Sequence, residues 1–156
     1  IAEDLGIITP EVTALRLSFD LPGMKILQFA FGGAENNPYL SENHEENGVV
    51  YTGTHDNDTT MSRCQSADEH TRHYMFQRLG GSAESRPWTV MEAALASPAL
   101  LSVVPIPDLR ELDEEARFNT PGTLDDNWSW RLKDIPAMEH HCWQQSLLLN
   151  QKYQRC

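Results

Sequence analysis

The chain has 156 residues, a hydrophobic fraction of 40%, and 12 Lys+Arg against 23 Asp+Glu, a formal net charge of −11. That length can bury one sizeable core, and the composition excludes collagen-like, coiled-coil and disordered classes. So acidic a field, with no basic stripe to offset it, excludes nucleic acid as a partner, whereas a neutral ligand such as a sugar is compatible with it.

The sequence opens on Ile1-Ala2-Glu3-Asp4-Leu5-Gly6, without an initiator Met. It is expected to begin inside a structural element, with any targeting segment lying upstream. A strand ending at Ala2–Glu3 is predicted first. Thr9-Pro10-Glu11 then predicts a helix start, with a cap, a proline at the first position and an acid in the first turn.

The apolar run Ile26–Phe31 predicts a buried strand, followed by a polar stretch from Gly32 to Gly48. Val49–Thr52 and Leu100–Val104 predict two more strands, each short and bounded by turn residues, as buried parallel strands are. Between them, Ser66-Ala67-Asp68-Glu69 reads as a capping box, with Gly80-Gly81 ending its helix. Pro87 opens a further helix that Pro98 stops.

A second polar stretch runs from Asp108 to Asp134. The tail beyond Pro136 places Met138, Cys142, Leu149 and Tyr153 at helical spacing, a terminal packing helix. Strands alternating with helices predict an α/β fold with a parallel sheet. In such folds, loops after the carboxyl ends of strands carry function.

The three cysteines, Cys64, Cys142 and Cys156, are odd in number and lack Cys-x-x-Cys spacing, which fits structural thiols in a reducing compartment. No apolar run approaches the ~20 residues of a membrane span, so no membrane partner is expected.

Two places concentrate chemistry. Gly53-Thr54-His55-Asp56-Asn57-Asp58-Thr59 follows directly on a predicted strand. Its Asp, Asn and His side chains can accept from or donate to the vicinal hydroxyls of a sugar. A plain Asx turn is the alternative reading, and a calcium loop lacks the required spacing and distal Glu. Glu3-Asp4 places two acids at the end of a strand, a pattern also common on acidic surfaces. His140-His141-Cys142 looks like a metal cluster, but neighbours on a helix do not face one another.

The runs IAEDLGIITPEV, LPGMKILQFAFG, NPYL, VVYTGTHDNDTT, RFNTPGT and NWSWRL occur in this order. Together they resemble the C-terminal part of amylomaltases, the disproportionating enzymes of glycoside hydrolase family seventy-seven, from Ile1 to about Lys133. The resemblance implies the C-terminal half of a (β/α)8 TIM barrel, parallel strands five to eight with flanking helices. Residues 1–135 would form that part of the barrel and 136–156 a helix packed on it.

The resemblance also implies that Glu3 is the general acid/base. Asp56 would hold sugar hydroxyls and stabilise the transition state, and His55 would bind the sugar beside it. Phe29 would line the sugar site, with core packing the alternative, and Asn119 an acceptor subsite, with a turn role the alternative; Asp4 and Asn57 would bind substrate beside the key residues that they flank. Trp128 and Trp130 are candidates to stack on sugar, with packing the alternative.

The implied activity is retaining transfer of alpha-1,4-glucan segments between maltooligosaccharides, without metal or organic cofactor. Glu3 would need a raised pKa, which partial burial near other acids can supply. The nucleophilic aspartate would lie upstream of this chain, in the missing N-terminal part of the barrel, so the chain alone is expected to be inactive; a non-catalytic glucan-binding fragment is the alternative. A barrel of this kind needs ~250 residues. A cytoplasmic location is expected, or a plastid one for a plant source. The sequence departs from the family at Met61–Cys64, where an aromatic-containing stretch is usual, and at Ile106-Pro107-Asp108, where a glutamine commonly precedes the aspartate.

Overall fold

The computed structural model describes residues 1–32, 36–80, 86–133 and 140–155. It is an α/β fold around a three-stranded parallel sheet, in which β1 (Gly23–Ile26), β2 (Gly48–Tyr51) and β3 (Leu101–Val103) lie in the order β1-β2-β3. Gly23 pairs with Gly48 and Ile26 with Tyr51, while Val49 pairs with Leu101 and Tyr51 with Val103. Helices α1 (Pro10–Ser18), α2 (Thr60–Ser66), α3 (Glu69–Leu79), α4 (Arg86–Ala96), α5 (Ile106–Leu109) and α6 (His140–Lys152) complete the order.

Side chains along a strand alternate between faces. Val50 is fully buried in a core with Leu27, Ala30, Phe31, Cys64, Met75, Val90 and Ala94, and its neighbour Tyr51 points the other way, into an open cleft. Helix α4 anchors the helical layer. Val90 and Ala94 enter the first core, while Trp88 and Met91 form a second with Cys142 of α6, flanked by Val104, Leu109 and Leu149.

The strand predicted over Ile26–Phe31 is corrected: β1 ends at Ile26, and Leu27–Phe29 form a 3-10 turn. A strand would have split Leu27 from Ala30 across the sheet. The turn instead gathers Leu27, Ala30 and Phe31 into one core and lets the Gln28 Nε2 donate to the Asp58 carbonyl at 2.8 Å. No strand forms at Ala2–Glu3. That segment lies beside the start of β1, with the Ala2 N–H donating to the Pro22 carbonyl at 2.8 Å. The other two predicted strands appear as β2, shifted by one residue towards the N-terminus, and β3, shorter by one residue at each end.

Helix α1 begins with Pro10 in its first turn, but the Thr9 side chain makes no cap bond. The predicted capping box moves: Ser66 closes α2, and Asp68 caps α3 by accepting from the Thr71 N–H at 2.8 Å. Gly80 ends α3 in the left-handed conformation, φ 69°, the residue that can enter it without strain. Helix α4 opens at Arg86–Pro87 and ends before Pro98. Gly81, Pro136, Met138 and Cys156 lie outside the described residues.

Arg155, just past α6, ties the tail to the end of α4. Its guanidinium donates to the carbonyls of Leu95 (2.8 Å), Ser97 and Ala99 (2.6 Å). A cation there complements the exposed carbonyls and negative pole of a helix C-terminus.

Candidate active site

Beyond Ile26, Tyr51 and Val103 the chain crosses the carboxyl edge of the sheet, and a cleft of about 530 Å³ opens there. The strands contribute Met24, Ile26, Tyr51 and Val103 to its walls. The segments beyond them contribute Phe29, His55, Asp56 and Asn57, and the N-terminal segment contributes Glu3. Glu3 and Asp56 therefore share one cleft, although 53 positions separate them in sequence.

The loop carrying Asp56 is closed by its own side chains. Asn57 Oδ1 accepts from the Thr54 N–H and the Thr54 hydroxyl, both at 2.8 Å, and the Asn57 N–H donates to the Thr54 carbonyl at 3.2 Å. Asn57 thus forms the Asx turn that composition suggested while also lining the cleft. Gly53 leaves room for the Gln28 carboxamide at the root: an added Cβ would stand 2.7 Å from Gln28 Nε2 and push it aside.

Asp56 is half exposed. Its Oδ1 lies 3.3 Å from His55 Nε2 and accepts from Asn119 Nδ2 at 2.6 Å. Oδ2 has no partner among the described residues, which leaves one carboxylate oxygen for an incoming hydroxyl. Asn119 also donates its N–H to the His55 carbonyl at 3.1 Å. It acts on the site by holding Asp56, and it is not among the residues lining the cleft.

Two residues that the sequence did not single out for this role complete the strap. Arg117 donates from one guanidinium nitrogen to the Asp56 carbonyl at 3.0 Å and from Nε to the Asn119 carbonyl at 2.9 Å. The Trp128 ring lies against His55, with centroids 5.1 Å apart and planes tilted by 35°. Trp128 sits at φ 59°, a region bulky residues rarely enter, at a cost of about 1–3 kcal/mol. Trp130 packs edge-on against Phe118 at 5.4 Å.

Phe29 remains 43% exposed, so its ring offers an apolar face to the cleft. Asp4 is corrected: it does not line the cleft. Adjacent residues of an extended segment point to opposite sides, and Asp4 accepts from the Met24 N–H at 2.7 Å and pairs with Arg16 (3.5 Å) and Lys25 (3.6 Å). Gly23 makes room for it, since a Cβ there would meet Asp4 Oδ2 at 2.5 Å. The partial burial expected for Glu3 is also absent: Glu3 is exposed, standing where no described strand continues the sheet past β1.

Asp108 lies beneath the loop and is 2% exposed. It accepts from the Thr52 hydroxyl (2.5 Å), the Thr60 N–H (2.7 Å) and the Thr60 hydroxyl (2.7 Å). Burial pushes its carboxyl above the usual range against the pull of those three bonds, and the nearby Asp58 charge adds to the rise. It locks the end of β2, the start of α2 and α5 together. Among the described residues no group of three or more His, Cys, Asp or Glu is arranged to hold a metal ion, and Cys142 Sγ lies 3.4 Å from His141 Nε2.

A largely apolar cleft that carries two carboxylates, one with a free oxygen, suits proton transfer to and from a neutral polyhydroxy ligand. The family model for 4-alpha-glucanotransferases of glycoside hydrolase family 77 matches residues 1–138. The 4-alpha-glucanotransferase of Thermus thermophilus is 48% identical over 140 residues, covering 85% of this chain and 28% of that protein. The chloroplastic/amyloplastic 4-alpha-glucanotransferase of Oryza sativa is 48% identical over 133 residues, covering 85% of this chain and 22% of its own. Among solved structures, the amylomaltase of Streptococcus agalactiae, in complex with acarbose, superposes with a TM-score of 0.92 at 24% identity, over 97% of this chain and 31% of that one. The chain thus spans less than a third of the length of these relatives.

Proposed function

The chain belongs to the 4-alpha-glucanotransferase family, glycoside hydrolase family 77, and on that premise we propose that it is part of a retaining glucanotransferase moving alpha-1,4-glucan segments between maltooligosaccharides. The observation that carries this reading is the shared cleft of Glu3 and Asp56 at the carboxyl ends of parallel strands. In this reading residues 1–135 are the C-terminal part of a (β/α)8 barrel and 136–156 a helix packed on it. The rest of the barrel is the partner that covers the free edges of β1 and β3.

Glu3, as the acid, gives its proton to the glycosidic oxygen of the donor. The C1–O bond breaks, and C1 bonds to a nucleophilic aspartate supplied from outside this chain. The Glu3 carboxylate then takes the proton of the acceptor 4-hydroxyl, whose oxygen attacks C1 and releases the aspartate. One glycosidic bond is lost and one gained. Asp56, steadied by His55 and Asn119, grips ring hydroxyls through its unpartnered oxygen, and that grip tightens as the ring flattens towards an oxocarbenium ion. No described helix is long and apolar enough to cross a membrane. The protein works in the cytoplasm, or in the plastid if its source is a plant, as the Oryza relative's name indicates for that protein.

Disproportionation of maltotriose, read by chromatography of glucose and longer products, tests the reading. The chain alone should give no product. The full-length parent should turn over, and Glu3→Gln in it should lower the rate about 10²–10⁴-fold. Undiminished turnover by that variant would overturn the assignment. The alternative of a glucan-binding piece that does not react rests on the polar His55–Asp58 loop. It predicts that calorimetry of this chain detects maltooligosaccharide binding while the parent stays inactive.

A further inference from the structure

Glu3 has little of its own to hold it in place. Among the described residues its carboxylate makes no hydrogen bond or ion pair, it is exposed, and the segment that carries it forms no strand. A group that gives and takes a proton must nonetheless stand within hydrogen-bond reach of the atom it serves. The placement of Glu3 therefore comes from its two neighbours in the chain.

On one side the Ala2 N–H donates to the Pro22 carbonyl at 2.8 Å. On the other, Asp4 Oδ1 accepts from the Met24 N–H at 2.7 Å. In a parallel ladder a main-chain carbonyl of the adjoining segment takes such an N–H. Here the Asp4 carboxylate stands in for it, and Glu3 sits between the two bonds. Asp4 is itself held, with Oδ2 3.5 Å from Arg16 Nε and 3.6 Å from Lys25 Nζ. Arg16 is 6% exposed and fixed in turn, donating to the Leu21 carbonyl at 3.0 Å and to Glu45 at 2.7 Å. A planar guanidinium bound on three sides is a rigid support. Helix α1, the start of β1 and the segment before β2 thus converge on one carboxylate, and only the missing Cβ of Gly23 makes space for it.

We propose that Asp4 is a positioning residue for the transfer reaction. Backed by Arg16, it fixes the main chain on which Glu3 projects into the cleft. The inference rests on the glucanotransferase reading, in which Glu3 moves the proton. Asp4 touches no sugar, so its loss leaves substrate binding in place and lets Glu3 drift. A displacement of about 1 Å can cost about 10²-fold in rate.

The test compares two donors on the full-length parent. Maltotriose needs Glu3 to protonate the departing oxygen. In alpha-maltosyl fluoride the C1–F bond breaks to give fluoride ion, which needs no proton, as C1 bonds to the nucleophilic aspartate. Single-turnover fluoride release is therefore insensitive to where Glu3 stands. Asp4→Asn keeps an acceptor for the Met24 N–H but loses the charge facing Arg16 and Lys25. It should lower kcat on maltotriose about tenfold, and Asp4→Ala about 10²-fold, with KM and fluoride release little changed. Should Asp4→Ala not fold, the isosteric Asp4→Asn carries the test. Gly23→Ala leaves every acid in place but puts a Cβ 2.5 Å from Asp4 Oδ2, and it should show the same split between donors. Glu3→Gln should show that split in full and calibrates it. Asp4→Asn and Gly23→Ala slowing both donors alike, or slowing neither, would overturn the positioning role while leaving Glu3 as the acid. Undiminished maltotriose turnover by Glu3→Gln would instead overturn the glucanotransferase reading, and this inference with it.

Discussion

Replacing Asp108 tests whether a buried carboxylate holds the root of the Asp56 loop. In Asp108→Ala three donors lose their acceptor: the Thr52 hydroxyl, the Thr60 hydroxyl and the Thr60 N–H. An unsatisfied buried donor costs about 1–3 kcal/mol. The hydroxyls can rotate and belong at the low end, whereas the amide is fixed, and removing a desolvated acid returns part of the loss. The net cost is about 3–4 kcal/mol, a large share of a total stability of ~5–15 kcal/mol. With a urea m-value of about 2 kcal/mol/M, the midpoint falls by roughly 2 M. Asp108→Asn keeps an acceptor for the Thr60 N–H and should cost about half as much. The pH dependence has a definite sign. Burial raises the folded-state pKa of Asp108, so its contribution is fully present below the unfolded value near 4 and is lost as pH rises through the folded value. The gap between wild type and Asp108→Asn should therefore be widest near pH 4 and narrow on going to pH 8. Urea unfolding followed by circular dichroism at several pH values measures both effects. Equal midpoints for wild type and Asp108→Ala, or a gap that widens with pH, would refute the reasoning.

His44 is buried, with Nε2 donating to the Tyr39 carbonyl at 3.0 Å and Nδ1 2.8 Å from the Ser97 hydroxyl, and burial lowers its pKa. Its contribution is present above the unfolded value near 6.5 and lost as pH falls through the depressed folded value, so His44→Gln should flatten the fall in Tm of the wild type between pH 7.5 and 5.5. Gly53→Ala must displace the Gln28 carboxamide, at about 1–3 kcal/mol, and should lower Tm by about 3–10 °C in a thermal scan. Arg155→Ala releases the carbonyls at the end of α4 and should lower amide-exchange protection in α6 while leaving the β1–β2 ladder protected.

What could be read from the sequence was whatever one contiguous run carries. The His55–Asp58 cluster, the strands β2 and β3 and the Gly80 stop are each local, so residue type and spacing sufficed. The pairing of Glu3 with Asp56 came from the family resemblance, and in the structure both line the cleft at the carboxyl edge of the sheet, Glu3 from a segment beside β1 that is not itself a strand. Asp4 shows where local reading had more to give. In an extended segment Glu3 and Asp4 cannot both face one cleft, and the salt bridge to Arg16 is the consequence of that alternation. The strand drawn over Ile26–Phe31 failed for a tertiary reason: Gln28 finds its partner 30 residues away, and that bond rewards a turn over a continued strand. The same holds for the groups that steady the site. Arg117 reaches Asp56 across 61 positions, Asn119 across 63, and Asp108 reaches Thr60 across 48. No periodicity encodes such contacts; they exist only once β2 and the segment after β3 lie side by side. Asp56 is thus legible in its own motif, while its stiffness is set by a strap written elsewhere in the chain. A substitution in that strap should change how Asp56 is held without altering any residue of the motif.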